Sequence, residues 1–280
     1  MKTLLDILRS TEEYLGRKGM ASPRVEAEWL VAHALGMPRV QLYVQFERPL
    51  SEADLALIRP LLRRRAEGEP LQYILGSTGF HKGDLLVGPG VLVPRPETER
   101  LVEIALAKYA ANKGPILDLC TGSGAILLAL AGDLTPLPYL LGVDVSEAAM
   151  AWARKNTEQL GIACVEWRIG DLFAPVDRHD FGLITANPPY VTEAEYASLP
   201  LDVRNHEPRE ALVAGADGLD VIRRIAAQGR DYLAPEGWLV MEIGEAQGAA
   251  VQALLTQHGW RNASIVQDYS HRDRVAVAQA

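Results

Sequence analysis

The first 75 residues place their hydrophobic side chains at helical spacing. One run starts after Ser22 and Pro23, an N-cap followed by proline at the first helical position, and ends at Gly36. Its apolar positions are Val25, Trp29, Leu30 and Ala34. A second run starts after Ser51 and has the apolar positions Leu55, Ile58, Leu61 and Leu62. These patterns predict a small helical bundle over residues 1–75, with its Leu and Trp stripes in the core.

Between residues 76 and 93 the helical spacing stops and glycines separate short apolar stretches. Lys82-Gly83-Asp84 lies between Phe80 and Leu85-Leu86-Val87, which is typical of a turn between two strands. We therefore predict a β-hairpin linker over residues 76–93.

From residue 94 onwards, apolar runs alternate with amphipathic helical windows. The predicted strands are Ile116–Leu119, Tyr139–Val143, Val165–Ile169, Phe181–Ala186 and Trp238–Ile243. Residues 265–277 add two candidate strands joined through Ser270–Asp273. This alternation predicts an α/β domain over residues 94–280, with a parallel sheet covered by helices on both faces.

Composition and charge narrow the location and the partners. No apolar run in the 280 residues reaches the roughly 18 needed to span a bilayer, so we expect a cytoplasmic protein without a membrane partner. Residues 94–280 contain 16 Lys and Arg against 25 Asp and Glu, which opposes binding to a nucleic-acid backbone. The cysteines and histidines lack metal-ligand spacing, so we expect no metal site. We also expect a monomer.

A glycine-rich turn follows the first predicted strand of the sheet. The strand continues into Cys120-Thr121-Gly122-Ser123-Gly124 and then into the helical stretch Ala125–Ala131. Such a turn lets backbone amides at a helix N-terminus approach a ligand closely. Asp144, at the end of the next strand, can accept the two hydroxyls of a ribose. The pair indicates a nucleotide-like cofactor.

Two residues near this turn distinguish among such cofactors. Leu127 stands where the dinucleotide-binding fingerprint requires glycine, and no Walker lysine is present, which disfavours NAD and nucleoside triphosphates. Asp118 suggests a ligand with an ammonium group. We therefore predict S-adenosylmethionine as cofactor and S-adenosylhomocysteine as product. The alternative is that Gly122 and Gly124 only permit tight packing of strand against helix.

The strand Phe181–Ala186 ends in Asn187-Pro188-Pro189-Tyr190. The side-chain oxygen of Asn187 and the carbonyl of Pro188 can each accept one N–H of a planar NH₂ group, and the Tyr190 ring can stack on that group. The motif indicates a clamp for an amide or an exocyclic amine. Because such a nitrogen attacks poorly, methyl transfer depends on orientation, which is worth on the order of 7–11 kcal/mol in favourable systems. An ordinary turn after a strand is the alternative.

Together these motifs resemble the HemK/PrmC family, protein-(glutamine-N5) methyltransferases that modify the Gly-Gly-Gln motif of peptide chain release factors. The resemblance rests on Tyr73-Ile74-Leu75-Gly76, residues 93–99, residues 118–124, residues 143–146, residues 170–173, residues 187–190, Glu207-Pro208, Ala211-Leu212 and residues 217–220. It implies a seven-stranded Rossmann-like (class I) methyltransferase sheet with an antiparallel last strand. It also implies an N-terminal helical domain that helps recognise the release factor.

The resemblance further implies roles for individual residues. The cofactor-binding set would be Cys120, Thr121, Gly122, Ser123 and Gly124 for the methionine portion, Asp144 for the ribose, Asp171 and Leu172 for the adenine, and Asn187. The substrate amide would be held by Asn187, Pro188, Pro189 and Tyr190, with Asn187, Pro188 and Tyr190 as the catalytic residues. Arg95, Thr98 and Glu99 would shape the cofactor pocket. Cys120 stands where relatives often carry glycine, and Leu172 where some carry an aromatic residue.

Two other functions fit part of this pattern. The Asn-Pro-Pro-Tyr motif accepts any planar NH₂ group, so an adenine-N6 methyltransferase acting on DNA or RNA is an alternative, although the acidic charge of residues 94–280 opposes it. A catalytically silent protein that binds S-adenosylmethionine or contacts translation factors is another, and the intact motif and Asp144 argue against it. We predict methylation of the glutamine amide of release factors.

Overall fold

The computed structural model describes residues 2–280, which form two compact units. The first unit contains the chain up to Gly76 together with Leu201–His206, and the second contains Ser77–Pro200 and Glu207–Ala280. Within residues 2–280, no helix has the length and apolar character needed to cross a bilayer. The same residues contain no group of three or more His, Cys, Asp or Glu side chains arranged to hold a metal ion.

Helices build the first unit, as the hydrophobic spacing predicts. They are α1 (Leu4–Arg17), α2 (Pro23–Ala34), α3 (Arg39–Val44), α4 (Glu52–Ala66) and α5 (Leu71–Leu75), with the short helix Leu201–His206, α10 in chain order. Ser51 starts α4 with a capping box in which its hydroxyl accepts from the Asp54 N–H at 3.1 Å and its own N–H donates to the Asp54 carboxylate at 2.8 Å. Ile58 then lies in the core of this unit.

The stripe predicted for α2 is only partly buried. Leu30 and Val31 are fully buried, whereas Val25 and Trp29 are each 42% exposed, so the expectation of a Trp stripe in the core is wrong here. Val25 and Trp29 are one helical turn apart and lie on the face of α2 that turns away from the core. The Arg39 guanidinium lies 5.6 Å from the centre of the Trp29 ring, a cation–π contact at the surface.

The second unit contains a hairpin and a large sheet with its covering helices. Its elements are β1 (Ser77–Phe80), β2 (Gly83–Leu86), α6 (Thr98–Ala111), β3 (Ile116–Leu119), α7 (Ala125–Asp133), β4 (Leu140–Asp144), α8 (Glu147–Leu160), β5 (Val165–Ile169), β6 (Phe181–Ala186), α9 (Glu193–Tyr196), α11 (Asp220–Gln228), β7 (Leu233–Glu242), α12 (Gly248–Gln257), β8 (Arg261–Gln267) and β9 (Asp273–Gln279). The seven strands run in the order β5-β4-β3-β6-β7-β9-β8, and only β9 runs in the direction opposite to the other six. The predicted fold class is confirmed.

Strands β3, β5 and β6 have the bounds that the sequence predicts, but β7 does not. It starts at Leu233, whereas the apolar pattern places its start at Trp238. Leu233 pairs with Phe181 ahead of a register irregularity, and Pro235 and Gly237 interrupt the apolar pattern between the two pairings. The early part of β7 therefore carries no strand signal of its own.

The hairpin is present, but its turn lies earlier than predicted. Phe80 pairs with Gly83, so His81 and Lys82 form the turn, and Gly83 and Asp84 belong to β2. The hairpin is fixed to α8 by Asn156, whose side chain exchanges hydrogen bonds with the Leu86 backbone at 2.6 and 3.1 Å. The Asn156 amide also donates to the Ser123 carbonyl at 3.0 Å, so the same residue supports the glycine-rich turn.

Candidate functional site

A cavity of about 1070 Å³, including its open mouth, lies at the carboxyl edge of β3, β4, β5 and β6. Segments that follow these four strands form much of its wall: residues 120–123, 144–146 and 170–172, with Asn187 and Pro189. The rest of the wall includes Thr98 at the start of α6, residues 90–92 and Pro208. In an open α/β sheet this edge is where ligands bind.

Most of the residues predicted from the sequence line this cavity, and a few do not. Those in the wall are Cys120, Thr121, Gly122, Ser123, Asp144, Asp171, Leu172, Asn187, Pro189 and Thr98. Gly124 instead caps α7, Pro188 is buried, and Tyr190 packs against the core of the sheet. Arg95 pairs with Glu207 at 2.6 Å, and Glu99 accepts from the His81 N–H at 3.0 Å. Arg95 and Glu99 therefore hold neighbouring segments in place and do not line the cavity.

Both glycines of the turn have a positive φ that favours glycine, and one of them is also closely packed. Gly124 has a φ of 81°, and a Cβ atom there would lie 2.9 Å from the Trp167 ring, so backbone conformation and tight packing both account for that glycine. A Cβ on Gly122 would meet nothing within 4 Å, but its φ of 58° lies in the left-handed region that favours glycine. The backbone conformation of Gly122, and not packing, therefore explains this glycine. Cys120 has a similar φ of 54°, a conformation that glycine adopts more easily than cysteine.

Asp144 is held by backbone amides of the loops around it. One carboxylate oxygen accepts from the Gly122 N–H at 2.8 Å, and the other accepts from the Ser146 N–H at 2.9 Å. Burial raises the pKa of Asp144, and these backbone hydrogen bonds oppose the rise. The Val145 N–H also donates to this carboxylate, which keeps acceptor capacity for a ribose.

Asp171 and Leu172 form the part of the wall that follows β5. The Asp171 carboxylate is mostly exposed and accepts from the Arg224 guanidinium at 2.8 Å. Leu172 is 5% exposed and adopts a positive φ of 51°. It supplies an apolar surface without an aromatic ring, suited to packing rather than stacking.

Asp118 does not reach the cavity wall, contrary to the idea that it meets a ligand ammonium group. It is fully buried, and its two oxygens accept from the Thr121 hydroxyl at 2.5 Å and the Thr185 hydroxyl at 2.7 Å. Burial raises the pKa of Asp118 to about 7. Burial likewise raises the pKa of the Cys120 thiol, which therefore stays protonated and is not a nucleophile.

Behind Asn187 lies a chain of buried hydrogen bonds. The Asn187 amide nitrogen donates to the Thr98 hydroxyl at 3.4 Å, which donates to the Glu242 carboxylate at 2.6 Å. The Tyr190 hydroxyl donates to the other oxygen of Glu242 at 3.1 Å. Glu242 is absent from the residues predicted from the sequence. Its signal is an acidic residue within the otherwise apolar strand run 238–243.

The backbone around the Asn-Pro-Pro-Tyr motif is also fixed. The Gln247 side chain donates to the Tyr190 carbonyl at 3.0 Å and to the Gly218 carbonyl at 3.2 Å. A Cβ on Gly218 would lie 2.2 Å from the Tyr190 carbonyl, so only glycine permits this approach. The motif is therefore held from both sides.

This donor and acceptor set fits S-adenosylmethionine. The open space beside Gly122 admits a ligand close to the backbone, Asp144 offers acceptors for a ribose, and Leu172 offers an apolar wall. No residue among 2–280 donates a hydrogen bond to the Asn187 side-chain oxygen, which leaves that acceptor available for a substrate.

Comparison with known proteins gives consistent matches over the whole chain. Residues 6–76 match the PrmC N-terminal domain, and residues 98–200 match the methyltransferase small domain. The chain is 43% identical over 273 residues to the release factor glutamine methyltransferase of Geobacter sulfurreducens, covering 98% of this chain and 95% of the relative. It is 41% identical over 278 residues to that of Vibrio cholerae, covering 99% and 96%. In fold, a methyltransferase from Pyrococcus furiosus matches with a TM-score of 0.51 and 16% identity, covering 70% of this chain and 88% of that one.

Proposed function

The chain belongs to the release factor glutamine methyltransferase family, and on this premise we propose that it uses S-adenosylmethionine to methylate the side-chain amide nitrogen (N5) of the glutamine in the Gly-Gly-Gln motif of peptide chain release factors. One observation carries the proposal. Asn187 and Pro189 share a single cavity with Gly122 and Asp144, so a substrate clamp and a cofactor cradle open into the same space.

In this proposal the cofactor is held by residues that follow three strands. Cys120 to Ser123 contact its methionine portion, with Gly124 starting the helix behind them, and Asp144 accepts its ribose hydroxyls. Asp171 and Leu172 contact its adenine. S-adenosylmethionine supplies an electrophilic methyl carbon when it is bound.

The protein's contribution to the transfer is orientation of the amide. The Asn187 side-chain oxygen and the Pro188 carbonyl each accept one amide N–H, and no residue among 2–280 donates to either oxygen. As the nitrogen bonds to carbon it gains positive charge, so both hydrogen bonds strengthen and favour the transition state. The excess proton then leaves the nitrogen to solvent. Tyr190 keeps its hydroxyl proton because burial raises its pKa, and its ring stacks on the amide plane.

We extend the proposal to the regions of the chain. Residues 1–75 help recognise the release factor, residues 76–93 form the hairpin beside the glycine-rich turn, and residues 94–280 carry the reaction. The residue ranges, the monomeric state, the cytoplasmic location and the lack of a nucleic-acid partner stay predictions. Size-exclusion chromatography with light scattering measures the oligomeric state directly.

The test of the proposed function is methyl incorporation from labelled S-adenosylmethionine. Intact release factor, its Gly-Gly-Gln→Gly-Gly-Ala variant, and adenine-containing DNA and RNA are offered in parallel. We expect label only on intact release factor, lost with Asn187→Ala. The matched control is Asn112→Ala. Asn112 caps the C-terminal end of α6, opposite the end at which Thr98 lies, and its loss should leave incorporation unchanged.

Label on nucleic acid alone would show that the substrate is adenine and would leave the role of the clamp unchanged. If the Asn187→Ala enzyme still labels the release factor, the clamp is not needed for the reaction. Absence of label on every substrate, with measurable binding of S-adenosylmethionine, would favour a binding role.

A further inference from the structure

Thr98 and Glu242 connect the substrate clamp to the core of the sheet unit. Glu242 is fully buried at the end of β7, and Thr98, at the start of α6, is 3% exposed. The two residues are far apart in sequence but share a hydrogen bond of 2.6 Å. Asn187 hydrogen-bonds Thr98 and not Glu242, so an influence of the carboxylate on Asn187 passes through the threonine hydroxyl.

The available donors fix the direction of each hydrogen bond among Asn187, Thr98, Tyr190 and Glu242. An ionised carboxylate only accepts, so Glu242 takes the protons of both the Thr98 and the Tyr190 hydroxyls. With its proton committed, the Thr98 oxygen can only accept from Asn187. The Asn187 amide must therefore turn its nitrogen towards Thr98, which leaves its oxygen for the cavity.

The opposite orientation of Asn187 is unfavourable as long as Glu242 is ionised. It would place the amide oxygen against the Thr98 oxygen, whose proton points to Glu242. Two buried acceptors would then face each other without a hydrogen atom between them, which costs the full desolvation of both groups. The clamp would also present a donor to the substrate in place of an acceptor.

The groups around Glu242 determine whether it is ionised. Burial raises its pKa, the Thr98 and Tyr190 hydroxyls and the Arg274 guanidinium lower it, and the Glu97 carboxylate raises it. Arg274, on β9, is itself held by the Asp268 carboxylate at 3.2 Å. On acidification Glu242 becomes a donor, and the hydrogen bonds to Thr98 and Asn187 lose their fixed direction.

We infer that Glu242, acting through Thr98, is a positioning residue that sets the hydrogen-bond polarity of Asn187 and thereby makes the clamp accept an amide NH₂ group. This inference rests on the proposed function, since it concerns the same amide. An acceptor pair holds the two N–H groups of glutamine and repels the carboxylate of glutamate. Glu242 and Thr98 thus contribute to substrate choice without touching the reacting atoms.

The first test compares Thr98→Val with Thr98→Ser on intact release factor. Valine keeps the shape but lacks the hydroxyl, so we expect kcat to fall by about tenfold or more, the usual consequence of one unmet buried hydrogen bond. Serine keeps the hydroxyl and should recover most of the loss. The Kd for S-adenosylmethionine, measured by calorimetry, should change less than kcat in both variants.

Thr157→Val is the matched control for lost stability. The Thr157 hydroxyl also makes two hydrogen bonds, to the Ala153 carbonyl and from the Trp167 indole, but it lies outside the cavity wall. This variant should lower the melting temperature without lowering kcat. Equal losses of kcat in Thr98→Val and Thr98→Ser would overturn the inference, as would a loss that only follows the Kd of the cofactor. Failure of the wild-type enzyme to label release factor would instead refute the proposed function.

The second test is the pH profile of kcat for wild type and Glu242→Gln. In wild type, kcat should decline on acidification as Glu242 gains a proton, and it should recover as pH rises. Glutamine cannot ionise, so this acidic decline should disappear from the variant, whatever its absolute rate. If Glu242→Gln retains the wild-type decline, another group causes it and Glu242 does not control the clamp.

Discussion

Two buried carboxylates of the helical unit, Glu26 and Glu28, are held differently from two of the sheet unit, Asp118 and Glu242. In the helical unit Glu26 lies 2.6 Å from the Arg65 guanidinium, and Glu28 lies 2.7 Å from that of Arg39. Burial alone would raise the pKa of Glu28, but hydrogen bonds led by those of Tyr43 and Arg39 outweigh it and lower that pKa. Glu28 therefore stays ionised, held by the Tyr43 hydroxyl together with the guanidinium groups of Arg39 and Arg24.

At Asp118 and Glu242 in the sheet unit, hydroxyl groups are the hydrogen-bond donors, whereas Glu207 of the same unit pairs with Arg95. Asp118 accepts from two threonine hydroxyls, and Glu242 accepts from Thr98 and Tyr190. Burial raises the pKa of both carboxyl groups, to about 7 for Asp118. A hydroxyl donates a hydrogen bond but brings no opposite charge, so it offsets only part of the cost of burying the ion.

This difference separates two uses of a buried carboxylate. A guanidinium partner keeps the carboxylate ionised, which suits the fixed packing of helices. Hydroxyl partners let its protonation change at higher pH and pass its hydrogen-bond direction to the next residue, which suits a position behind a substrate clamp. Glu26 and Glu28 should therefore affect stability at neutral pH, and Asp118 and Glu242 should affect its pH dependence in the range where they titrate.

The largest effect is expected for Asp118→Asn in the pH dependence of unfolding. The pKa of Asp118 is about 7 in the folded state against an ordinary value of 3.8. The stability from this group is fully present below the unfolded pKa and is lost as pH rises through the folded pKa. A shift of about three units corresponds to about 4 kcal/mol. Urea unfolding at about pH 4 and about pH 8 should show wild type losing roughly this much relative to the variant.

Asp231→Asn is the control, because Asp231 is exposed and lies outside the cavity wall. It should keep the pH dependence of wild type. If Asp118→Asn also keeps it, the hydroxyl-paired carboxylate is ionised at no extra cost in the folded state, and the contrast between the units fails.

A substitution in the helical unit tests the other side of the comparison. Arg65→Met keeps most of the side-chain length but leaves Glu26 and Asp202 without their cation; the Arg65 side chain is 7% exposed. Removing one partner from a buried ion pair costs roughly 3–5 kcal/mol. We expect about 3 kcal/mol, because Asp202 is 30% exposed and can be hydrated. Hydrogen exchange across α2 and α4 measures this loss.

Arg64→Met is its neighbouring control. Arg64 pairs with Glu69 at 2.5 Å, but its side chain is 43% exposed, so the loss should stay below about 1 kcal/mol. Equal losses in the two variants would show that burial does not distinguish the two ion pairs.

Features that follow from local sequence or from the order of the strands could be predicted. Strands such as β3 and β6 are mostly apolar and buried throughout, and their ends place the glycine-rich turn, Asp144 and Asn187 at one edge by topology alone. Local signals also give the start of α4 after Ser51 and the presence of the hairpin.

Features that depend on pairing between distant residues could not be predicted. The bond between Thr98 and Glu242 joins two elements whose contact follows only from the strand order of the sheet. The exposure of Trp29 depends on which face of α2 meets its neighbours, which apolar spacing alone does not decide. The burial of Asp118 behind the turn likewise follows from the hydroxyls of Thr121 and Thr185, which reach it from two directions.

The smallest effect, and the one with the opposite pH dependence, is expected for Glu28→Gln. The pKa of Glu28 is lowered in the folded state, so its stability is present above the unfolded pKa and is lost as pH falls through the folded pKa. Glutamine keeps the shape but loses the charge that Arg39 contacts, which should cost about 1.5 kcal/mol near neutral pH. In urea unfolding, wild type and variant should converge on acidification, because protonated Glu28 and glutamine are both neutral. A deficit that grows as pH falls would mean that Glu28 resembles Asp118, and that cation and hydroxyl partners do not set the direction of the shift.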